Sequence, residues 1–133
     1  MSEILTGRCL CGVIQYRCGP VLYAPTLCHC ESCRRACGAH AVGWLTVSAI
    51  NVAFTGDRPR EYASSPGVMR SFCGRCGTPL TYCNVRRPDE VDITVCTLDQ
   101  PEFAAPVDHI WMQDAPGWDV LCETLPRHSR GRQ

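Results

Sequence analysis

The clustering of cysteines constrains the structure of this chain more than any other feature of its sequence. The 133 residues include twelve cysteines, and eight of them fall in three short clusters. Disulfide-bonded proteins distribute their cysteines so that bridges close long loops, whereas metal sites collect their ligands within one or two turns of chain. The pattern therefore favours metal bound by thiolates over a disulfide framework. The clusters are Cys9 and Cys11, then Cys28, Cys30, Cys33 and Cys37, then Cys73 and Cys76, and the scattered cysteines are Cys18, Cys83, Cys96 and Cys122.

Length and charge indicate one small domain without a nucleic-acid or membrane partner. Residues 1–133 are expected to form a single zinc-binding domain with a frayed polar tail at residues 127–133. Thirteen basic residues balance thirteen acidic ones, and no apolar run approaches the roughly 20 residues of a membrane-spanning helix. Residues 1–7 lack the basic region and apolar stretch of a secretory signal, which predicts a cytoplasmic protein with reduced cysteines. A mature secreted fragment whose signal has been removed is the alternative.

Hydrophobic periodicity predicts a mainly β protein built from short antiparallel strands. Ile14, Tyr16 and Cys18 alternate with polar residues, as they would in a strand with one buried face. One short helix is predicted from Glu31 to Cys37, because Gly38 follows as a stop signal. Further strands are predicted at residues 41–47, 50–55, 68–72, 80–83, 91–97 and 107–112, with turn sequences between them.

A first metal site is predicted from two cysteine pairs that lie beside glycines. Residues 73–76 form a C-x-x-C motif, and Gly74 and Gly77 permit the positive φ angles that a tight metal-binding loop requires. Because this motif supplies half of a tetrahedral site, Cys9 and Cys11 are the expected second pair. Four thiolates leave no open position, so the ion would be structural. The alternatives are small core residues at positions 9 and 11, and a redox role for the C-x-x-C motif.

A second metal site is predicted from the C-x-C-x-x-C motif of Cys28, Cys30 and Cys33. Alternate positions at the end of a strand would place Cys28 and Cys30 on one side, and the start of the helix would bring Cys33 towards them. Three ligands leave the fourth position of a tetrahedral zinc open for chemistry. Cys37 lies one helical turn after Cys33 and is a possible fourth ligand that would close the site. His29 is a further possible ligand, although strand alternation points it the other way, and a site without metal is the remaining alternative.

These motifs resemble those of the glutathione-dependent formaldehyde-activating (Gfa) enzymes, a family that includes relatives of centromere protein V. The resemblance extends over nearly the whole chain, from about Gly7 to Pro126, and its most specific part is the order of the cysteines. The similar segments are residues 7–12 (GRCLCG), 28–35 (CHCESCRR), 70–78 (RSFCGRCGT), 97–99 (TLD) and 106–111 (PVDHIW), with Trp118 and residues 125–126 (LP) near the end.

The resemblance implies a β-tent fold of layered antiparallel sheets stabilised by two zinc sites. It implies a carbon–sulfur lyase that adds glutathione to formaldehyde to give S-hydroxymethylglutathione, so the implied partners are a small-molecule thiol and an aldehyde. Where the family often has a small hydroxyl residue, this chain has Cys37. The implied ligands are Cys9, Cys11, Cys73 and Cys76 for a structural zinc and Cys28, Cys30 and Cys33 for the functional zinc.

Two other classes of function stay open. One is a zinc-stabilised binding module without catalytic turnover, which the similarity to centromere protein V allows. The other is a redox or metal-handling protein that uses the four scattered cysteines, although these are more simply apolar fillers in strands. The chain lacks a long basic segment for binding nucleic acid or microtubules, which favours an enzyme.

Most charged and aromatic side chains near the motifs are expected to have structural roles rather than contacts with substrate. An arginine could bind a substrate carboxylate, and a histidine or glutamate could transfer a proton. Surface positions are nevertheless expected for Arg34, Arg35 and Arg70, and structural or solvent-facing positions for His109 and Glu31. Core positions are expected for Trp111 and Trp118, with a place in a pocket wall as the alternative.

Overall fold

The computed structural model describes residues 3–119, 125–130 and 132, so the prediction for Cys122 lies outside the described residues. Within them the chain forms short strands and a single α-helix, which confirms the prediction of a mainly β protein. The strands are β1 (Leu5–Arg8), β2 (Ile14–Cys18), β3 (Thr26–Cys28), β4 (Val42–Ser48), β5 (Ala53–Gly56), β6 (Arg60–Ser65), β7 (Val68–Phe72), β8 (Pro79–Asn84), β9 (Glu90–Thr94) and β10 (Asp108–Ile110), the helix is α1 (Glu31–Cys37), and 3-10 turns span Ala49–Asn51, Val95–Thr97, Pro101–Ala104 and Met112–Asp114.

The strands form two sheets. The smaller sheet has the order β1-β2-β5, and the larger has the order β10-β3-β4-β9-β8-β7-β6. Neighbouring strands are antiparallel except for β10 and β3, which are parallel. The expectation of purely antiparallel sheets is therefore wrong for this pair. A long stretch of chain separates the two strands, so no hairpin forces them to run in opposite directions.

Strand β4 is buried on both faces and thereby separates the core from the candidate site. Leu45 and Val47 pack into the main core with Ile14 of the smaller sheet. Val42 and Trp44 point to the opposite face, where they pack against cysteines of the second motif. The apolar run at residues 41–47 predicted a central strand of this kind.

The main differences from the predicted strands lie at the edges of the sheets. Strand β6 was not predicted, because five of its six residues are exposed and its sequence has no apolar alternation. Strand β1 was not predicted either, because a glycine occupies a buried position where the pattern needs an apolar residue. A Cβ atom at Gly7 would lie 2.3 Å from the ring of Tyr16, so this position accepts only glycine.

Helix α1 has the bounds predicted from the sequence. Gly38 ends it in the left-handed conformation, with φ of 62°, and donates its backbone N–H to the carbonyl of Arg34. The helix is short and exposes most of its surface. In the described residues, no helix has the length and apolar character needed to cross a membrane.

Candidate metal centres

The first group of thiols joins two turns that come from different sheets. Cys9 and Cys11 follow β1, and Cys73 and Cys76 follow β7. Their four Sγ atoms lie within 4.8 Å of one another, with 3.6 Å between Cys9 and Cys11 and 3.9 Å between Cys11 and Cys73. A tetrahedral zinc with Zn–S bonds of about 2.3 Å has sulfur–sulfur separations of about 3.8 Å. This four-thiol cluster therefore has the dimensions of a tetrahedral zinc site.

Backbone N–H groups point at the sulfur atoms of the four-thiol cluster. The Sγ of Cys73 accepts hydrogen bonds of 3.4 Å from the N–H groups of Arg75 and Cys76. The Sγ of Cys9 accepts one of 3.4 Å from Ile14. Against the opposing effect of burial, the hydrogen bond from Ile14 lowers the pKa of Cys9, which favours the thiolate form that binds metal.

The C-x-x-C turn depends on one of its two glycines for its backbone conformation. Gly77 has φ of 81° and donates its N–H to the carbonyl of Cys73 at 2.8 Å, which closes the turn. Gly74 is not among the residues with positive φ, so the prediction for it is wrong. A Cβ atom there would lie 2.7 Å from the side chain of Arg60, so a larger residue would have to displace this exposed side chain.

The second group of thiols lies where β3 leads into α1. The Sγ atoms of Cys28, Cys30 and Cys33 lie within 4.8 Å of one another, and we call them the three-thiol cluster. The expectation that Cys28 and Cys30 share a strand is wrong, because Cys28 ends β3 and Cys30 is the N-cap of α1. The Sγ of Cys30 accepts the N–H of Cys33 at 3.3 Å. The cap of the helix thus brings the three sulfur atoms together.

Two neighbouring residues that the sequence offered as further ligands lie outside the three-thiol cluster. Cys37 packs against the cluster, but its Sγ is not within 4.8 Å of all three sulfur atoms. His29 is buried, and its Nε2 lies 2.9 Å from Nδ1 of His109. Its Nδ1 lies 3.3 Å from the carboxylate of Asp119 without hydrogen-bond geometry. His29 therefore packs the turn between β3 and α1 against distant parts of the chain.

The three-thiol cluster opens into a pocket of about 850 Å³. Its floor is one face of the larger sheet, where Thr46, Asp92, Tyr82 and Arg70 lie opposite one another on β4, β9, β8 and β7. Ligand pockets in proteins typically have volumes of roughly 300–1,000 Å³. The pocket is therefore large enough for a tripeptide-sized ligand in contact with the thiols.

Arg70 is a buried cation beside the three-thiol cluster, so the prediction of a surface position is wrong. Its side chain is 8% exposed, and its Nη2 lies 3.7 Å from the Sγ of Cys33. Its guanidinium lies 5.0 Å from the centre of the Tyr82 ring and donates to the hydroxyl of Ser64 at 3.2 Å. Hydrogen bonding from Cys28 above all, with a contribution from Arg70, lowers the pKa of Cys33 to about 5. The environment of Cys33 therefore favours a thiolate.

The far end of the pocket contains a network of ion pairs. Arg87 Nη2 lies 2.7 Å from one oxygen of Asp92, and its Nη1 lies 2.9 Å from Glu90. Thr46 donates its hydroxyl to Asp92 at 2.6 Å, and Tyr23 donates to Glu90. These internal partners raise the pKa of Arg87, chiefly through the hydrogen bond to Asp92. This network keeps the far end polar and rigid.

The remaining predictions for side chains near the site have mixed outcomes. Arg35 and Glu31 are exposed and form an ion pair with each other at 2.9 Å, as expected of solvated charges. Arg34 is only partly exposed. The prediction of core positions is wrong for both tryptophans, because Trp111 is 55% exposed and Trp118 is 52% exposed. Trp111 lines the pocket instead.

Cys18, Cys83 and Cys96 are free thiols, like every other cysteine in the described part of the chain. Cys18 is a buried filler as predicted, and burial raises its pKa to about 11. Cys83 is half-buried in β8. Cys96 is exposed in a 3-10 turn, so the prediction of a buried filler is wrong there.

The strand patterns of the sequence carry signals for two pocket residues outside the cysteine motifs. Arg70 lies between Val68 and Phe72 at period-two positions of a correctly predicted strand, so it shares a face with apolar residues. Tyr82 likewise lies within a predicted strand. A charged residue on the apolar face of a strand indicates a buried polar role.

Comparisons with known proteins indicate the family of this chain. The sequence pattern of the family described as "Glutathione-dependent formaldehyde-activating enzyme" matches residues 4–114. A protein of Schizosaccharomyces pombe named as an uncharacterized lyase is 30% identical over 113 residues, which cover 72% of this chain and 80% of that protein. A "Putative glutathione-dependent formaldehyde-activating enzyme" of Halomonas elongata is 26% identical over 126 residues, which cover 86% of this chain and 79% of that protein.

A solved structure shares the fold. The crystal structure of a Rhodobacter sphaeroides protein superposes with a TM-score of 0.64 and 20% sequence identity, and the match covers 79% of this chain and 99% of that one. At this identity the likeness concerns the fold alone. The family pattern, in contrast, spans most of the sequence, from residue 4 to residue 114, and includes both thiol clusters. This chain therefore belongs to the glutathione-dependent formaldehyde-activating enzyme family.

Proposed function

We propose that this chain adds a thiol of the glutathione type to formaldehyde or a related aldehyde in the cytoplasm. The thiol sulfur forms a bond to the carbonyl carbon, and the π electrons of the C=O bond move to the oxygen. The proton lost by the thiol ends on that oxygen, so the product is an S-hydroxymethyl thioether. The reverse reaction breaks the carbon–sulfur bond, which makes the enzyme a carbon–sulfur lyase.

We assign different roles to the two thiol clusters, each of which would bind one zinc ion. The four-thiol cluster offers a complete tetrahedral set of donors, which is typical of a structural zinc. The three-thiol cluster offers three donors and faces a pocket, which is typical of a zinc site that accepts a substrate. That Cys37 lies outside the three-thiol cluster supports an open fourth position.

The residues around the three-thiol cluster would orient the substrate and limit its contact with water. A zinc ion held by Cys28, Cys30 and Cys33 would supply positive charge that favours the thiolate of the substrate or polarises the aldehyde oxygen. Arg70 provides further positive charge beside the cluster, in a buried position where electrostatic interactions are strong. The pocket accommodates the remainder of the thiol molecule.

The observation that most supports this proposal is the combination of three thiols, with no fourth among the described residues, and a pocket of about 850 Å³ beside them. A purely structural site needs neither an open position nor a pocket. The choice of thiol and aldehyde rests on the family description and on the name of the Halomonas elongata relative.

Metal analysis together with exchange kinetics tests the proposal. We expect protein purified without chelators to contain two zinc ions per chain. We also expect it to accelerate the exchange between glutathione and its formaldehyde adduct. Exchange NMR measures this rate with and without the protein, since the uncatalysed reaction is also measurable. Cys30→Ser should abolish the acceleration, lose one zinc ion and keep most of the folded structure. Cys76→Ser should lose the fold, because a structural zinc contributes on the order of 10 kcal/mol to folding.

The matched control is Cys96→Ser, since Cys96 is exposed and lies outside both clusters. It should retain both zinc ions and full activity. Two bound zinc ions without any acceleration for a range of thiols and aldehydes would identify the chain as a zinc-stabilised binding module. Equal loss of structure in Cys30→Ser and Cys76→Ser would contradict the division between a functional and a structural site.

A further inference from the structure

Trp111 has the least favourable backbone conformation near the pocket. Its φ of 60° and ψ of 36° lie in the left-handed region, and among the described residues it is the only one with positive φ that is not glycine. A bulky residue rarely adopts this conformation unless the surrounding structure imposes it. Such outliers are frequent where a side chain must be placed for binding or catalysis.

Hydrogen bonds to both sides of the three-thiol cluster hold this conformation. The residue before Trp111, Ile110, accepts the N–H of His29 at 2.9 Å. The carbonyl of Trp111 accepts the N–H of Asp114 at 3.0 Å, and a carboxylate oxygen of Asp114 accepts the N–H of Glu31 at 3.2 Å. Because His29 and Glu31 flank Cys30, the Trp111 segment is fixed to the turn that bears the thiols.

The position of the Trp111 indole is not explained by burial in the core. The side chain lines the pocket and stays 55% exposed, so it contributes little to the core. Trp44 and Tyr82 line the same pocket, and Ile110 adds an apolar side chain. The pocket beside the thiols therefore has several aromatic lining residues, of which Trp111 and Tyr23 are the most exposed. An exposed indole in a strained conformation suits a binding surface, since it offers a large rigid area at low entropic cost.

We infer that Trp111 is a specificity-determining residue that packs against the organic body of the thiol substrate, and not against the reacting atoms. This inference rests on the proposed function and names the part of the substrate that the enzyme recognises. The preferred thiols are those with several atoms beyond the sulfur that can pack on an aromatic face, such as the peptide planes of a tripeptide. A thiol of two carbons reaches the three-thiol cluster but is too short to cover the indole.

Calorimetric titration of the zinc-loaded protein with two thiols tests the inference. Glutathione and 2-mercaptoethanol present the same reacting group, and only glutathione has a large body. Trp111→Gly should weaken glutathione binding about tenfold, since loss of an aromatic packing surface is worth that order of affinity. Because 2-mercaptoethanol does not reach Trp111, its affinity for the variant should stay within about twofold of its affinity for the wild type. Trp111→Phe should retain most of the affinity for glutathione.

The controls separate binding from folding. Trp118→Gly makes the same change at a similarly exposed tryptophan that does not line the pocket, and it should bind both thiols like the wild type. Glycine accepts positive φ, so Trp111→Gly should unfold at or above the wild-type temperature. Trp111→Asn also tolerates this conformation and provides a second test if the glycine variant folds poorly.

The outcomes distinguish this inference from the proposed function. Absence of catalysed exchange in the wild type would contradict the proposed function, whereas the binding titrations would still test Trp111. The inference is overturned if the wild type binds glutathione no more tightly than 2-mercaptoethanol. It is also overturned if Trp111→Gly weakens both thiols equally, or if Trp118→Gly weakens glutathione as much as Trp111→Gly does.

Discussion

At the scale of single residues, the placement of Arg70 constrains the site most. A buried charge is costly unless an opposite charge or hydrogen bonds compensate for it. Within the described residues, no carboxylate lies within 4.0 Å of the Arg70 guanidinium, and its partners are the Cys33 sulfur, two serine hydroxyls and the face of Tyr82. The group that can supply the compensating negative charge is the thiolate of Cys33, whose pKa is lowered to about 5, chiefly by hydrogen bonding from Cys28. We therefore expect Arg70 to act as a positioning residue for the three-thiol cluster.

Replacing Arg70 with lysine should reduce activity while keeping the charge. A lysine ammonium cannot stack flat on Tyr82 and donate to Ser64 and Cys33 at the same time. We expect kcat/KM for the thiol to fall at least about tenfold, the order expected from losing a hydrogen bond to a charged group. Arg35→Lys is the control, because Arg35 lines the same pocket but is exposed and pairs only with Glu31. Equal activities of the two variants would contradict the role of Arg70.

At the scale of elements, the turns that hold the thiols matter more than the strands that lead to them. The C-x-x-C turn after β7 closes through the N–H of Gly77, whose φ of 81° excludes most other residues. A Cβ atom at Gly77 would meet no heavy atom within 4 Å. The requirement at this position is therefore one of backbone conformation alone.

Replacing Gly77 with alanine should therefore destabilise the protein only by the free energy that alanine needs to adopt the left-handed conformation. We expect the free energy of unfolding of the zinc-loaded protein to fall by about 1–2 kcal/mol, measured by denaturant titration. Gly117→Ala is the matched control, since a Cβ there also meets nothing within 4 Å and its φ is not positive. No difference between the two variants would mean that the turn relaxes to another conformation.

The sequence predicts the bounds of individual strands and of the helix better than it predicts which strands pair with each other. Strand β7 and helix α1 have the predicted bounds, because alternation and the glycine stop are local signals. Strand β6 lies at a sheet edge and is exposed, so it gives no such signal. The parallel pairing of β10 with β3 depends on packing between segments that are distant along the chain.

The same holds for the candidate site: the sequence predicts the residues that lie in local motifs, but not those that the sheet brings to the pocket. All seven proposed ligands come from short motifs, and the structure brings their sulfur atoms into two groups. The other pocket residues come from strands whose order in the sheet the sequence does not reveal. Strands β7 and β9 bring Arg70 and Asp92 to the pocket, and the end of β10 brings Trp111 to it. Their roles became visible only with the topology.

At the scale of the whole molecule, the four-thiol cluster links the two sheets. Cys9 and Cys11 lie between β1 and β2 of the smaller sheet, and Cys73 and Cys76 lie between β7 and β8 of the larger one. A zinc ion there would connect turns about sixty residues apart along the chain, and such long-range links constrain the unfolded state strongly. The three-thiol cluster lies within one β3–α1 segment and closes only a short loop. The two sites should therefore contribute very differently to stability.

Stepwise removal of zinc should reveal this difference. As a chelator is added, the zinc of the three-thiol cluster should leave first, because that site faces an open pocket, and activity should disappear with little change in Tm. Loss of the second zinc should then unfold the protein near room temperature, since on the order of 10 kcal/mol is comparable to the whole stability of a small domain. Released zinc, activity and Tm measured on the same samples would follow these two steps, and Cys96→Ser should behave like the wild type. Release of both ions in one step, or a metal-free protein that melts like the zinc-loaded one, would contradict the structural role of the four-thiol cluster.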